Sequence, residues 1–294
     1  MAVKSVGINS SLGLSIPQEQ SENPRRLIRS PRQRNTWRVL YTGFADGAWN
    51  MAVDEWLLNT ATQRPPVLRL YGWRGPTVSL GRHEPWRRVI DLQKLRAHGV
   101  RVVRRVTGGR AVFHHREVTY SVTAPLGRYA DFDDGFQSTL RRISMALIQG
   151  LKSLGVEADL RHRRRAAGPQ NGLCFESATR YELVKGGEKL IGSAQYCTHQ
   201  GLLQHGSIPA YATLGDLWRL GPDTRPGRKG SGDRFWPAVW HEMSLDRLSV
   251  ALIDGFRGVF GCRTTRMKLE HVDMAAVAAL RRARYDNAKW TFRR

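Results

Sequence analysis

Residues 67–122 constrain the fold more than any other part of the chain. Short runs rich in β-branched and aromatic residues, at 67–71, 77–80, 100–106, 111–113 and 118–122, alternate there with glycine and proline breaks. Runs of this length and composition predict strands. The first two flank a turn at Gly75-Pro76, and the last three follow one another with Gly108-Gly109 between them. A single short helix, 92–98, stopped by Gly99, interrupts the series. Elsewhere the apolar spacing predicts helices at 50–58, from a cap at Asp133 or Asp134 to Leu154, at 244–260 and at 273–284, with a strand at 263–269. Strands at 181–184 and 189–194 flank Gly186-Gly187, a hairpin signal. Strands and helices mix without a regular βαβ repeat. This predicts one α+β domain, a mostly antiparallel or mixed β-sheet packed against helices, over residues 36–294.

The chain of 294 residues is 41% apolar, enough to bury a large core. In the helix ending at Leu154, Phe136, Leu140, Ile143, Leu147 and Leu151 fall on one face. Residues 1–35 carry Ser, Pro, Gln and Arg with little apolar periodicity and read as a disordered basic extension. Glu19 and Glu22 argue against a targeting peptide there. No window approaches the ~18 apolar residues of a membrane helix, and no signal peptide opens the chain. Three cysteines at irregular spacing predict reduced thiols in a cytoplasmic setting. A formal net charge of +22 favours an acidic partner: nucleic acid, a membrane surface or an acidic protein. The Arg-rich run 161–165 reads as a solvated loop, and the Gly-, Pro- and Arg-rich stretch 213–240 as a long surface loop beside the site.

The chemistry points to Cys174 and Lys189, fifteen residues apart on the two sides of the predicted hairpin. A lysine ammonium near a thiol holds it as the nucleophilic thiolate. Upstream, Thr107, Gly108, Gly109, Arg110 and Ala111 form a glycine turn read as part of a strand pair. Glycines there allow positive φ and close approach of a ligand, although a tight hairpin turn without ligand has the same signature. A nucleophile, a cation and a close-approach backbone segment are the parts of an acyl-transfer site. Arg104 and Arg105 precede the glycines and are placed to meet an anionic group or to form a solvated strand face. His114 ends the segment and is a candidate for shaping the site. In strict alternation Lys189, Ile191, Ser193 and Gln195 share one face of their strand, and Leu190, Gly192 and Ala194 the other. The small residues Gly192, Ser193 and Ala194 suggest close packing of a ligand chain. Cys197, His199 and His205 lack a fourth partner for a metal, so no metal or cofactor is expected.

Four ordered strings, NMAVDEWLL at 50, LRLYGWRGPTVSLGRHEP at 68, RRVTGGRAVFHHREVTYS at 104 and YELVKGGEKLIGSAQYCTHQGLLQHGSI at 181, together resemble the biotin/lipoate protein ligase and octanoyltransferase superfamily. The last string includes the family's Lys-x-x-Gly-Ser, which identifies Lys189 with its active-site lysine. Within the family the chain is most similar to the LipM type of octanoyltransferase, in which an acyl-thioester cysteine precedes the lysine by the spacing seen from Cys174 to Lys189. Arg110 stands where lipoate ligases usually carry a third glycine, and the chain has no room for their accessory domain.

The resemblance implies a lipoate-ligase-like fold and an acyltransferase. Its donor would be octanoyl-acyl carrier protein and its acceptor a lysine of a lipoyl domain or of the glycine cleavage H protein, with no nucleic acid and no membrane involved. Catalysis would rest on Cys174 and Lys189. The substrate would lie against Arg105, Thr107, Gly108, Gly109, Arg110, Ala111, His114, Gly192, Ser193 and Ala194, with Trp73, Leu80 and Val112 along the acyl slot. The basic runs 161–165 and 225–229 would steer the acidic carrier. An ATP-using lipoate ligase and an amidotransferase between lipoyl proteins are the rival readings within the family. A nucleic-acid-binding protein is the rival outside it.

Overall fold

A computed structural model describes residues 35–115, 117–132, 135–162, 181–186, 188–209 and 245–293. The expectations for residues 1–34, for Cys174 and for 213–240 lie outside these. From Arg34 onward the chain forms one compact unit.

An eight-stranded mixed sheet is its backbone. In chain order its members are β1 (Thr36–Ala45), β2 (Val67–Trp73), β6 (Glu117–Ala124), β7 (Asp159–His162), β8 (Tyr181–Lys185), β9 (Glu188–Cys197), β10 (Leu202–Pro209) and β11 (Arg263–Met267). Across the sheet the order is β11-β1-β2-β6-β10-β9-β8-β7. The β11-β1 and β1-β2 ladders are parallel, whereas β2-β6, β6-β10, β10-β9, β9-β8 and β8-β7 are antiparallel. A three-stranded sheet, β3 (Thr77–Leu80), β4 (Arg101–Arg104) and β5 (Val112–His114), has the order β4-β3-β5.

Two sequence expectations change here. The runs around Gly75-Pro76 do not pair as a hairpin, because β2 joins the large sheet and β3 the small one. The glycine segment is not a hairpin turn either. It carries the chain from β4 to β5, and β3 lies between those strands, parallel to one and antiparallel to the other. Strand propensity locates the segments but not their partners. The Arg-rich run also begins in structure, since Arg161 and His162 complete edge strand β7 against β8.

The large sheet buries both faces. One packs on α3 (Phe136–Lys152) and α4 (Leu245–Phe260), through Leu68, Leu70, Tyr120, Val122, Leu183, Leu190 and Ile191. These helices cross closely enough to need glycine. A Cβ on Gly255 would stand 2.2 Å from the Ala146 carbonyl oxygen, and one on Gly150 2.7 Å from that of Ala251. The N-cap of α3 is Gly135, at φ +89°, rather than an aspartate. The other face packs on α1 (Gly47–Asn59) and α5 (Met274–Leu280), through Leu40, Val67, Tyr71, Trp73 and Leu203. Helix α1 starts three residues before its apolar run, because the Asp46 side chain accepts from the Trp49 amide and caps it. The small sheet turns Val78 and Leu80 toward α2 (Leu92–Ala97) and packs them on Ile90, Leu95 and Val100. By alternation Ser79 faces the other way, which opens the site.

Candidate active site

On the α1 side the large sheet is polar where the small sheet meets it. Asp54 of α1 is 1% exposed and pairs with the fully buried Arg69 at 2.6 Å. It also accepts from Tyr71 (2.9 Å) and Ser121 (2.8 Å). Burial alone would raise this carboxyl. The Arg69 guanidinium and the bonds from His205 and Ser121 hold it below the usual carboxylate value.

Arg105 joins two arms of the network. In the first, Asp54 Oδ2 lies 3.0 Å from His205 Nδ1, and His205 Nε2 lies 2.7 Å from Thr107 Oγ1. In the second, Glu117 Oε1 lies 2.7 Å from His114 Nδ1, and His114 Nε2 lies 2.7 Å from Ser79 Oγ. Arg105 donates from Nε to Thr107 Oγ1 (3.1 Å) and from Nη1 to Ser79 Oγ (3.1 Å). Each hydroxyl therefore bridges the guanidinium and one imidazole Nε2, and each imidazole Nδ1 faces a carboxylate. Burial lowers His205 below the usual imidazole value against the opposing pull of Asp54, and it lowers Arg105 to about 10, which leaves it cationic at neutral pH.

This gives the fold a direction with pH. A neutral buried His205 means that the unfolded chain takes up a proton that the folded chain refuses. The contribution is complete above the unfolded value of about 6.5 and is lost as pH falls from there toward the lower folded value. Asp54 adds a second loss below about 3.9. The urea midpoint is therefore expected to fall between pH 7 and pH 5, and His205→Gln to flatten that slope. An equal slope in the variant would remove His205 from the account.

The same guanidinium holds the glycine segment. Arg105 Nη2 donates to the carbonyl oxygens of Gly108 and Arg110, both at 2.8 Å. Gly109, at φ +95°, lays its own carbonyl on Gly81, where a Cβ would stand 1.8 Å from that oxygen. Among the described residues the donors of Arg105 go to Ser79 on β3 and to Thr107, Gly108 and Arg110 of the segment. Arg104 is fully buried as well and donates to the carbonyls of Gly81, Glu84 and Thr291, so neither arginine lies on a solvated face. Of the slot residues, Trp73 stacks on His114 at 3.8 Å and Leu80 packs toward α2, while Val112 is half-buried.

Strand β9 reaches this network from the sheet side. Ala194 stands opposite His205 and Gly192 opposite Ser207, and cross-strand partners share a face. Ser193 belongs to the other face, where its hydroxyl lies 2.8 Å from that of Tyr120. Strict alternation would put Lys189 with Ile191 and Ser193. The structure overturns this with a bulge: Leu183 pairs Ile191 while Val184 pairs Lys189, leaving Leu190 as the extra residue. Leu190 and Ile191 both enter the α3–α4 core. The strand position of Lys189 therefore lies on the face of Gly192 and Ala194, opposite the α3–α4 core.

The structure thus brings together Arg105, Thr107–Ala111 and His114, places Gly192 and Ala194 on the β9 face that His205 and Ser207 share, and sets Ser193 apart. Cys197 packs on the α3–α4 core and His205 faces α1, so they do not converge. Sequence reasoning missed Asp54, Ser79 and Glu117 and gave His205 only a metal reading. The acidic pair Asp54-Glu55 inside the largely apolar run NMAVDEWLL is the available signal for Asp54.

This architecture is that of the lipoate–protein ligases. A bi-partite lipoate protein ligase from Thermoplasma acidophilum matches it with a TM-score of 0.70 at 20% identity, over 87% of this chain and 96% of that one. A lipoate-protein ligase A bound with ATP matches with a TM-score of 0.70 at 21% identity, over 87% and 98%. The chain belongs to the lipoyl protein ligase A/B catalytic domain family, whose description matches residues 46–225. Its relatives include the octanoyltransferase LipM of Carboxydothermus hydrogenoformans, 34% identical over 88% of this chain and 99% of that protein. The octanoyltransferase LipM of Kyrpidia tusciae is 44% identical over 59% of this chain and 65% of that protein.

Proposed function

We propose that this protein is an octanoyltransferase of lipoate biosynthesis, moving octanoyl from its acyl carrier protein thioester to a lysine of a lipoyl-accepting protein. The relatives carrying the octanoyltransferase name support the reaction class. The observation that supports this reading of the site is the β9 bulge, which pairs Lys189 with Val184 and so puts its strand position on the face opposite the α3–α4 core, with Gly192 and Ala194. Cys174 is the nucleophile in this reading and Lys189 its cation, fifteen residues downstream.

In the first half-reaction the Cys174 thiolate adds to the thioester carbonyl. The tetrahedral oxyanion collapses, the carrier's thiolate leaves and takes a proton, and an enzyme thioester remains. In the second, the acceptor lysine amine adds to that thioester, loses a proton and expels Cys174, leaving an amide. Thioester to amide runs downhill, so no activated phosphate is needed. The acceptor is a lipoyl domain or a glycine cleavage H protein. Reduced thiols fit a cytoplasmic setting, and no helix among the described residues is long and apolar enough to cross a membrane.

Transfer from octanoyl-acyl carrier protein is expected to proceed in ATP-free buffer containing chelator. Activity that requires ATP, Mg²⁺ and free lipoate would assign the chain to the ligases. Transfer from an octanoylated lipoyl protein but not from the carrier would make it an amidotransferase.

A further inference from the structure

We infer that Arg105 is a positioning residue for the acylation step, and that the two donors it positions are the backbone amides of Gly109 and Ala111. A trans peptide is planar, with its C=O and the following N–H on opposite sides. Arg105 Nη2 draws the carbonyls of Gly108 and Arg110 inward. The N–H groups that share those peptides, on Gly109 and Ala111, therefore point away from Arg105. Neither amide, nor that of Gly108 or Arg110, donates to another group among the described residues. Gly109 and Arg110 are exposed and Ala111 half-exposed, so the segment presents these donors on its open side.

The rest of the network serves this clamp. The guanidinium is 5% exposed and has its Nε and Nη1 fixed by Thr107 and Ser79. Each hydroxyl is oriented by an imidazole, and each imidazole by a carboxylate. Asp54 is anchored on α1, Ser79 on β3, Glu117 on β6 and His205 on β10, so four elements converge on one planar fork. Lysine, a point charge on a flexible stem, cannot bond two hydroxyls and three carbonyls in fixed directions. Gly81 completes the cradle by admitting the Gly109 carbonyl where any side chain would collide.

The inference rests on the octanoyltransferase reading for the identity of the acyl donor. As the nucleophile's sulfur bonds to the thioester carbon, the π pair moves onto oxygen. The Gly109 and Ala111 amides donate to that oxyanion. Collapse restores C=O, breaks the bond to the donor's sulfur and releases it as a thiolate that takes a proton.

The test compares single-turnover acylation, read by intact mass, with octanoyl-pantetheine thioester and with the matching dithioester, in which C=S replaces C=O. Sulfur is the poorer acceptor, so aligned amides favour the oxygen substrate. Arg105→Lys is expected to slow the thioester reaction about 10²-fold or more, the cost of losing an oxyanion donor, and to slow the dithioester far less, so that the ratio of the two rates collapses. Ser79→Ala, which removes one arm and keeps the carbonyl bonds, is expected to lower the ratio by a smaller factor. Thermal melts establish which variant folds. An unchanged ratio in whichever variant folds overturns the assignment, since a merely structural role slows both substrates equally. Adducts are counted wherever they form. A wrong nucleophile therefore shows as an adduct surviving Cys174→Ala, and a wrong role for Arg105 as an unaltered ratio.

Discussion

Cys174→Ala is expected to lower octanoyl transfer by about 10³-fold or more, the scale of losing a covalent nucleophile, while Cys197→Ala and Cys262→Ala keep it. The contrast comes from the surroundings of the three thiols. Cys197 is packed against the α3–α4 core, and burial pushes its thiol up to about 11. Cys262 is 7% exposed, and burial with the nearby Asp131 pushes it up to about 11 as well. At neutral pH both are thiols and poor nucleophiles. Cys174 alone is followed, fifteen positions on, by a lysine, Lys189. Transfer assayed with octanoyl-acyl carrier protein and a lipoyl domain checks the three variants side by side. Substantial transfer by Cys174→Ala, or its loss in Cys197→Ala, would remove Cys174 from the nucleophile's role.

Lys189→Ala is expected to raise the Cys174 thiol pKa and to slow acylation. A cation about 4 Å from a thiolate, at an effective dielectric near 20, attracts it by about 4 kcal/mol. That bounds the shift at roughly three units before desolvation opposes it. The sign follows directly: removing a positive charge disfavours the charged form of the thiol, so its pKa moves up. The rate of Cys174 carbamidomethylation against pH reads the value in the native protein and in the variant. The curve for Lys189→Ala is expected to lie at higher pH. Coincident curves would show that another group activates the thiol.

The sequence and the structure agree most where a local pattern decides. Alternation and glycine breaks located most strands, and the one-sided apolar stripe of α3 located its core face, because periodicity depends only on near neighbours. Pairing depends on distant ones. Nothing local says that β3 leaves β2 to lie between β4 and β5, or that β1 runs parallel to β11 more than two hundred residues away. Strand β10 was hard to see because one of its faces carries His205 and Ser207, so it lacks the apolar alternation of a half-buried strand. The same holds for the site. Motif strings point to the glycine segment and to Lys189, and spacing to Cys174, but Arg105 reads as a cation for an anionic group or a solvated face, because three of its acceptors are backbone carbonyls that carry no sequence signal. Lys189 was grouped with Ile191 because a bulge cannot be counted from composition. Two consecutive apolar residues, Leu190 and Ile191, both entering one core, are its physical cause.

The proposed reaction passes through a covalent octanoyl thioester on Cys174, formed from the carrier protein without ATP. Intact-mass analysis of the full chain after mixing with octanoyl-acyl carrier protein in ATP-free buffer, followed by peptide mapping with and without neutral hydroxylamine, tests it directly. The expected result is one added octanoyl group, mapped to Cys174 and released by hydroxylamine. No adduct without ATP, or a hydroxylamine-resistant adduct on another residue, would contradict it.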